Sequence, residues 1–452
     1  MLPPFAMADP RNATPPVIVV GAGLAGLTAA AFLRRRGIPV RVCEAGPQIA
    51  GLATTHVDAQ GFSYDFGAHF ITNRLAAAIG VSADCLPIAH YGEMVRLGGH
   101  SYSYPFGLMR SPRFLLSGLS ARAAQWATDP PQSAADVFRA RYGSALADEV
   151  AIPLLESWSG ARATDLAPAV ATVLNHSIGH TVALKINSRL RQRANAIGYC
   201  HELPETRYVW HVYPTGGVSL LCKRLAAELE SCVDLETPVD RILVDEGRVV
   251  GVHANGREVP AAAVVSTAPV HILSRMVTGT DALRPLARFR YRPMVFANLR
   301  FTGRGYLPDT MLWTPAEGAP FFRLTETPLS MPWLAPSGHT LITADLGCDV
   351  GDAIWTSSDE ELGERCLQHM SWIPNIRQRY LGCRVVRSAV AYPVFLNEYE
   401  QDRQALARST GVEGLYSVGR NGEFAHWLME DVYWRSLNAM RQLVRDRLAP
   451  AA

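Results

Sequence analysis

Three observations predict an α/β fold for this chain. The β-branched run Val17 to Val20 is followed at once by glycines spaced G-x-G-x-x-G and then by a helix-forming stretch. Later runs, Val264 to Pro269 and Gly414 to Gly419, read as further strands, each ending in a turn. Between them, residues from about 291 to 404 alternate apolar and polar positions and are rich in aromatics. The expectation is a Rossmann-like nucleotide-binding part, interleaved with a substrate part of mixed sheet and helices.

Val17 to Val20 suits a buried parallel strand. In the turn Gly21-Ala22-Gly23-Leu24-Ala25-Gly26, the first glycine permits the tight bend and the second lets backbone approach a pyrophosphate. The third lets the helix pack closely on the strand. Leu27 to Arg36 is expected to be helical, with three arginines in its last turn and Gly37 as its stop. Val40 to Glu44 is a second strand. The helix N-terminus, from Gly23 through Leu24 and Ala25 to Gly26, would hold a pyrophosphate. Glu44 would accept hydrogen bonds from a ribose, with Ala45 beside it, and the absence of an adjacent arginine argues against a 2′-phosphate. These residues alone do not separate NAD from FAD, and an empty unit of the same shape is the bland alternative.

At 452 residues, with 48% hydrophobic and 19% charged residues, the chain is long enough for two sizeable domains. The charge, 43 − 41 = +2, gives no reason to expect nucleic acid as a partner. Eight cysteines form no CxxC pair, so reduced thiols, no metal site and a cytoplasmic location are expected. Residues 1–16 read as a loose tail, and no apolar run is long enough for a transmembrane helix. Ser133 is suited to cap a helix running through Val137 and Tyr142 to Gly143, Asp359 to Met370 is one covering helix, and a last helix carries Val432, Ser436 and Met440 four apart.

The run from Val17 to Phe70 resembles the FAD-binding half of the flavin amine oxidase, protoporphyrinogen oxidase and phytoene desaturase superfamily. Its paired glycines and arginine are replaced here by Ala50-Gly51-Leu52-Ala53, a form closer to UDP-galactopyranose mutase-like proteins. The resemblance implies non-covalent FAD. It places Gly51, Leu52, Ala53, Gly67, Ala68 and His69 along the cofactor, Val239 at the adenine, and Gly419, Arg420, Met429 and Glu430 near the reducible end of the flavin. It also divides the chain into a discontinuous FAD-binding domain (17–74, 209–290 and 405–452) and a substrate domain (75–208 and 291–404).

His69 and Arg420 are the candidate catalytic residues. An imidazole can exchange a proton, and a fixed positive charge favours the reduced flavin. Arg323 and Tyr392 are candidate substrate residues; a structural ion pair and plain core packing are the bland readings. Lysine occurs only at 185 and 223, so the substrate-domain lysine that amine oxidases commonly set beside the flavin has no counterpart after position 223. The implied activity is oxidation of a small molecule by hydride removal, either at an amine or by desaturation, with O₂ or another electron acceptor. The alternative is a sugar-nucleotide isomerase that uses reduced FAD as a nucleophile, and a third reading is a flavin-holding protein without catalysis.

Overall fold

The computed structural model describes residues 15–67, 69–104, 106–124, 130–171, 178–315 and 318–448. Ala68 and residues 1–14 of the expected tail lie outside these; Pro16 is tied down, its carbonyl accepting from Ala262 N at 3.0 Å.

The β-branched runs form a five-stranded parallel sheet. Its strands are β1 (Val17–Val20), β2 (Val40–Cys43), β10 (Val233–Asp234), β14 (Ala263–Ser266) and β21 (Leu415–Ser417), in the order β10-β2-β1-β14-β21. β1 is buried along its whole length, as a central strand covered on both faces requires. Helix α1 (Leu24–Arg34) packs on it and is buried from Leu24 to Leu33. The helix starts three residues before the expected Leu27 and ends two before Arg36. Gly26 already lies in its first turn, pressed on the strand, and Arg35 to Gly37 form the closing turn in which Gly37 takes φ +71°.

A seven-stranded mixed sheet forms the other large layer: β7 (Glu93–Leu97), β8 (His100–Ser103), β16 (Tyr291–Thr302), β17 (Met311–Trp313), β18 (Arg323–Thr325), β19 (His339–Gly347) and β20 (Tyr380–Pro393). Their order is β20-β16-β19-β18-β17-β7-β8, and only the β17–β7 pair is parallel. The sequence signals taken above do not announce β6 (Cys85–Pro87) or the β7–β8 hairpin, although Gly98-Gly99 between two short strands is a recognised hairpin signal.

Smaller sheets join the layers. β3 (Thr55–Val57) pairs with β4 (Ser63–Asp65), and β9 (His211–Pro214) lies between β5 (Ile71–Thr72) and β6. β11 (Val239–Asp245), β12 (Arg248–Ala254), β13 (Arg257–Pro260) and β15 (Val277–Thr278) form a fourth sheet, in which β12 and β13 make a hairpin.

The helical segment contributes α2 (Pro112–Ala124), α3 (Ala134–Tyr142), α4 (Ile152–Ser159) and α5 (Ile178–Arg191). Ser133 caps α3 in a capping box with Asp136. α6 (Asp359–His369) covers the seven-stranded sheet through Leu362, Cys366 and Leu367. The last helix, α7 (Met429–Leu448), lies against α1, burying Val432, Ser436 and Met440.

Candidate functional site

The glycine turn shows why each glycine stands where it does. Gly21 takes φ +101°, and a Cβ there would lie 2.2 Å from Thr267 Oγ1. A Cβ on Gly26 would lie 2.0 Å from the Gly21 carbonyl oxygen. Gly23 is different: its nearest atom to an added Cβ is Ala50 O at 3.9 Å, so this face is open. Gly23 is also the N-cap of α1 and offers no side-chain cap, leaving the first N–H groups of an 11-residue helix without a capping partner.

The loop carrying Gly51, Leu52 and Ala53 folds over this turn. Ala50 N donates to Ala22 O at 2.9 Å, and Ala50 itself sits at φ +90°. Glu44 lies at the end of β2, half-buried. Its Oε2 accepts from Ala22 N at 2.7 Å and its Oε1 from Gly46 N at 2.8 Å, so the carboxylate is already oriented by backbone and keeps further lone pairs. Ala45 beside it is exposed, and Val239 opens β11 half-buried.

The C-terminal turn comes to the same place. Gly419 has φ +84°, and a Cβ on it would meet Ala25 Cβ at 2.7 Å, so residues 419–422 sit against the start of α1. Arg420 points inward. Its guanidinium lies over the Tyr392 ring at 4.6 Å, its Nε is buried without a partner, and among the described residues no carboxylate pairs with it. Burial lowers its proton affinity below the ordinary value, with Arg323 adding to this and Tyr392 opposing it.

Arg323, on β18, forms a close ion pair with Asp345 of β19, whose carboxylate is fully buried. Burial works against the charge on Arg323, but Asp345 more than offsets it and keeps the guanidinium protonated. Arg323 also faces the Trp313 ring at 5.3 Å. Gly67, at φ +83°, passes so close that a Cβ would lie 3.2 Å from Arg323 Nη2 and 3.0 Å from the Phe296 ring. His69 follows two residues later. Its Nδ1 is 3.5 Å from Asp65 Oδ2 and has no hydrogen-bond partner, while Asp65 is held by Thr55 and Tyr213 hydroxyls, each at 2.7 Å. The structure thus brings Gly67, His69, Arg323, Tyr392 and Arg420 together along one wall of side chains.

Met429 is the first residue of α7. The Glu430 side chain is turned away from this wall: its carboxylate accepts from Thr72 Oγ1 at 2.7 Å, Arg74 Nε at 2.5 Å and Trp434 Nε1 at 3.2 Å. Only its backbone N–H remains for a ligand at the helix N-terminus.

Two neighbours, His426 and Glu93, were missed by sequence reasoning. His426 is 9% exposed, boxed by Trp158 and Phe395, with neither ring nitrogen hydrogen-bonded. Burial, with Arg420 nearby, drives its proton affinity well below the ordinary value, so it is neutral. Glu93 accepts from the Tyr91 hydroxyl at 2.5 Å and from Trp313 Nε1 at 3.0 Å, extending the polar wall beyond Arg323. The Glu93–Trp313 contact spans 220 residues of sequence, and no local pattern announces it.

Residues 128–438 match the family model of flavin containing amine oxidoreductases, and residues 19–81 match that of NAD(P)-binding Rossmann-like domains. The chain belongs to the flavin containing amine oxidoreductase family. A "probable zeta-carotene desaturase" of Synechococcus elongatus is 33% identical over 101 residues, 20% of this chain and 21% of that protein, so the match spans about a fifth of the relative. Three solved structures share the fold at low identity. Reduced UDP-galactopyranose mutase has TM-score 0.78 at 18% identity, covering 97% of each chain. A putative protoporphyrinogen oxidase from Exiguobacterium sp. has 0.73 at 17%, covering 96% of this chain and 99% of that one. Cyclohexylamine oxidase from Brevibacterium oxydans has 0.71 at 17%, with the same coverage. The family and the dinucleotide turn together identify the cofactor as FAD. The residues fit it: the open face at Gly23, the uncapped helix end and the unpaired Arg420 are what an anionic dinucleotide with a reducible ring requires.

Proposed function

We propose that this chain is a cytoplasmic, FAD-dependent oxidoreductase that removes a hydride from a small molecule, at a C–H next to nitrogen or next to a conjugated carbon. O₂ or another acceptor takes up the electrons. The pyrophosphate rests on the turn from Gly21 to Gly26 and the ribose on Glu44, with Ala45 and Val239 towards the adenine. Gly51 to Ala53 and Gly67 to His69 follow the cofactor, and Arg420 and the Met429–Glu430 helix end face the pyrimidine. The FAD-binding part is 17–74, 209–290 and 405–452; the substrate part is 75–208 and 291–404, with Arg323 and Tyr392 on its wall.

The observation that carries this reading is Arg420, an inward-pointing guanidinium with an unpartnered Nε and, among the described residues, no carboxylate partner, beside the glycine turn. An uncompensated buried cation is costly, and a flavin that becomes anionic on reduction relieves that cost. FAD supplies the electron-accepting ring. This chain's own residues orient it, place a positive charge at one end and offer the His69 and His426 imidazoles for proton exchange. An anaerobic spectral titration of the FAD-loaded protein against a metabolite panel tests the reading. Bleaching of the flavin by substrate alone is expected.

The same uncompensated charge favours one second reading, isomerisation of an anionic sugar nucleotide by reduced FAD. Turnover that appears only after dithionite treatment, with no bleaching by any substrate, would replace the first reading by the second.

A further inference from the structure

We infer that Asp65 is a positioning residue for His69, holding the imidazole with its hydrogen on Nδ1 and leaving Nε2 as a proton acceptor. Asp65 closes β4 and is 6% exposed. Both of its oxygens are engaged, and each hydrogen bond has a traceable direction. Val218 N donates to the Tyr213 hydroxyl at 3.2 Å, and that hydroxyl donates to Asp65 Oδ2 at 2.7 Å. Ser219 N donates to the Thr55 hydroxyl at 3.4 Å, and that hydroxyl donates to Asp65 Oδ1 at 2.7 Å. Both chains begin at the N-terminus of the helix Ser219–Ala226, run one way and end on the carboxylate. Gly217, at φ +85°, lets this corner close up, since a Cβ there would lie 2.5 Å from Thr55 Oγ1. Burial and the Asp65 charge push the Tyr213 phenol well above its ordinary value, so it keeps the hydrogen it donates. Asp65 is therefore an acceptor at both oxygens and has no hydrogen to give.

That polarity decides the tautomer of His69. Its Nδ1 is buried and lies 3.5 Å from Asp65 Oδ2. The distance is longer than a formed hydrogen bond, yet the two tautomers still differ in sign. With the hydrogen on Nε2, the Nδ1 lone pair faces the carboxylate, and burial leaves the repulsion poorly screened. With the hydrogen on Nδ1, a donor faces it, at a spacing that a small ring rotation shortens. Two hydroxyls fix Asp65, so the imidazole is the partner that adjusts. The side chain keeps 20% of its surface exposed, on the part of the ring away from the buried Nδ1. Nε2 carries the lone pair, and His69 takes up a proton before it gives one. The imidazolium so formed faces two carboxylates: Asp65, and Asp345 of β19, which interacts by charge with His69 while it pairs with Arg323. The tautomer follows from these contacts alone; only what Nε2 reacts with rests on the proposed function.

The test is proton–nitrogen correlation spectroscopy of the full-length, FAD-loaded protein carrying isotope-labelled histidine, at about pH 9, where an ordinary histidine is neutral. The His69 signals are identified by their loss in His69→Gln. The Nδ1–H form is expected to exceed the Nε2–H form by roughly ten to one or more, the preference that one charge-assisted hydrogen bond supplies. Asp65→Asn puts an amide where an acceptor-only group stood, and should abolish that preference. A merely structural Asp65 would leave it in place. A protein that binds no FAD would sink the proposed function, and the tautomer is then read in the flavin-free protein, so the two failures are distinct. Two results overturn the inference: a dominant Nε2–H form in wild type, which needs no variant to fold, or an unchanged preference in folded Asp65→Asn.

Discussion

In the proposed site, Arg420 and Glu44 have opposite kinds of role for the same ligand. Among the described residues no carboxylate pairs with Arg420, so its positive field acts on whatever lies in front of it. Arg420→Ala should lower the flavin midpoint potential while FAD still binds. A differential loss on the order of 1.4 kcal/mol corresponds to about 30 mV for a two-electron couple. Arg420→Lys should recover part of this, since a point charge does not reproduce the guanidinium fork over Tyr392. Potentiometry decides it; an unmoved potential in a folded, FAD-loaded variant makes Arg420 a structural residue. Glu44 is already engaged by two backbone N–H groups, so its removal loosens the turn as well as the ribose contact. Glu44→Ala should weaken FAD by roughly ten- to a hundred-fold, from about 1.5–3 kcal/mol of charge-assisted hydrogen bonding. Titration of apoprotein with FAD checks this, and unchanged affinity would remove Glu44 from the cofactor site.

At the scale of elements, the legible parts were those whose signal is local. The β1 run, the glycine turn, the capping box at Ser133 and the alternating stretches around 294–301, 341–346 and 385–392 all became the elements they read as. The β7–β8 hairpin was not read, because its residues are mostly half-buried and show no clean apolar face. The placement of α7 was not readable either, because it is fixed by long-range polar contacts. Asp431 in its first turn accepts from His201 N at 2.6 Å and His201 Nδ1 at 2.8 Å, 230 residues away. Burial alone would raise the Asp431 carboxyl, but the His201 side chain and backbone hydrogen bonds hold it below its ordinary value of 3.8. A depressed carboxylate contributes stability above its unfolded pKa and loses it as pH falls through the folded one. Asp431→Asn should therefore cost about 1–3 kcal/mol at neutral pH, and the difference from wild type should shrink below about pH 4. Denaturant melts at neutral and acid pH measure both. A pH-independent difference would mean that the loss comes from packing alone.

Across the whole molecule, the groups proposed to face the cofactor come from four stretches: the glycine turn with the 44–53 loop, residues 67 and 69, the start of β11, and the 419–430 segment. The protein–protein contacts among them are few and specific, such as Ala50 N to Ala22 O and the seating of Gly419 on Ala25. The seven-stranded sheet is different, because β16, β19 and β20 pair over 9 and 10 residue positions and are backed by α6. A ligand that binds only the folded form adds stability as RT ln(1 + [L]/Kd), about 2.7 kcal/mol at a hundredfold excess over Kd. Local openings that break the site become rarer by that factor, whereas openings that leave it intact do not change. Hydrogen exchange with and without FAD should therefore show strong added protection at residues 22–27, 50–54 and 419–423. Little change is expected at residues 295–301 and 340–346, whose exchange is set by their own sheet. Glu44→Ala should reduce the added protection at residues 22–27 most, since its carboxylate binds Ala22 N directly. Uniform slowing throughout the chain would show instead that the two large sheets open only together, and that FAD stabilises one cooperative unit.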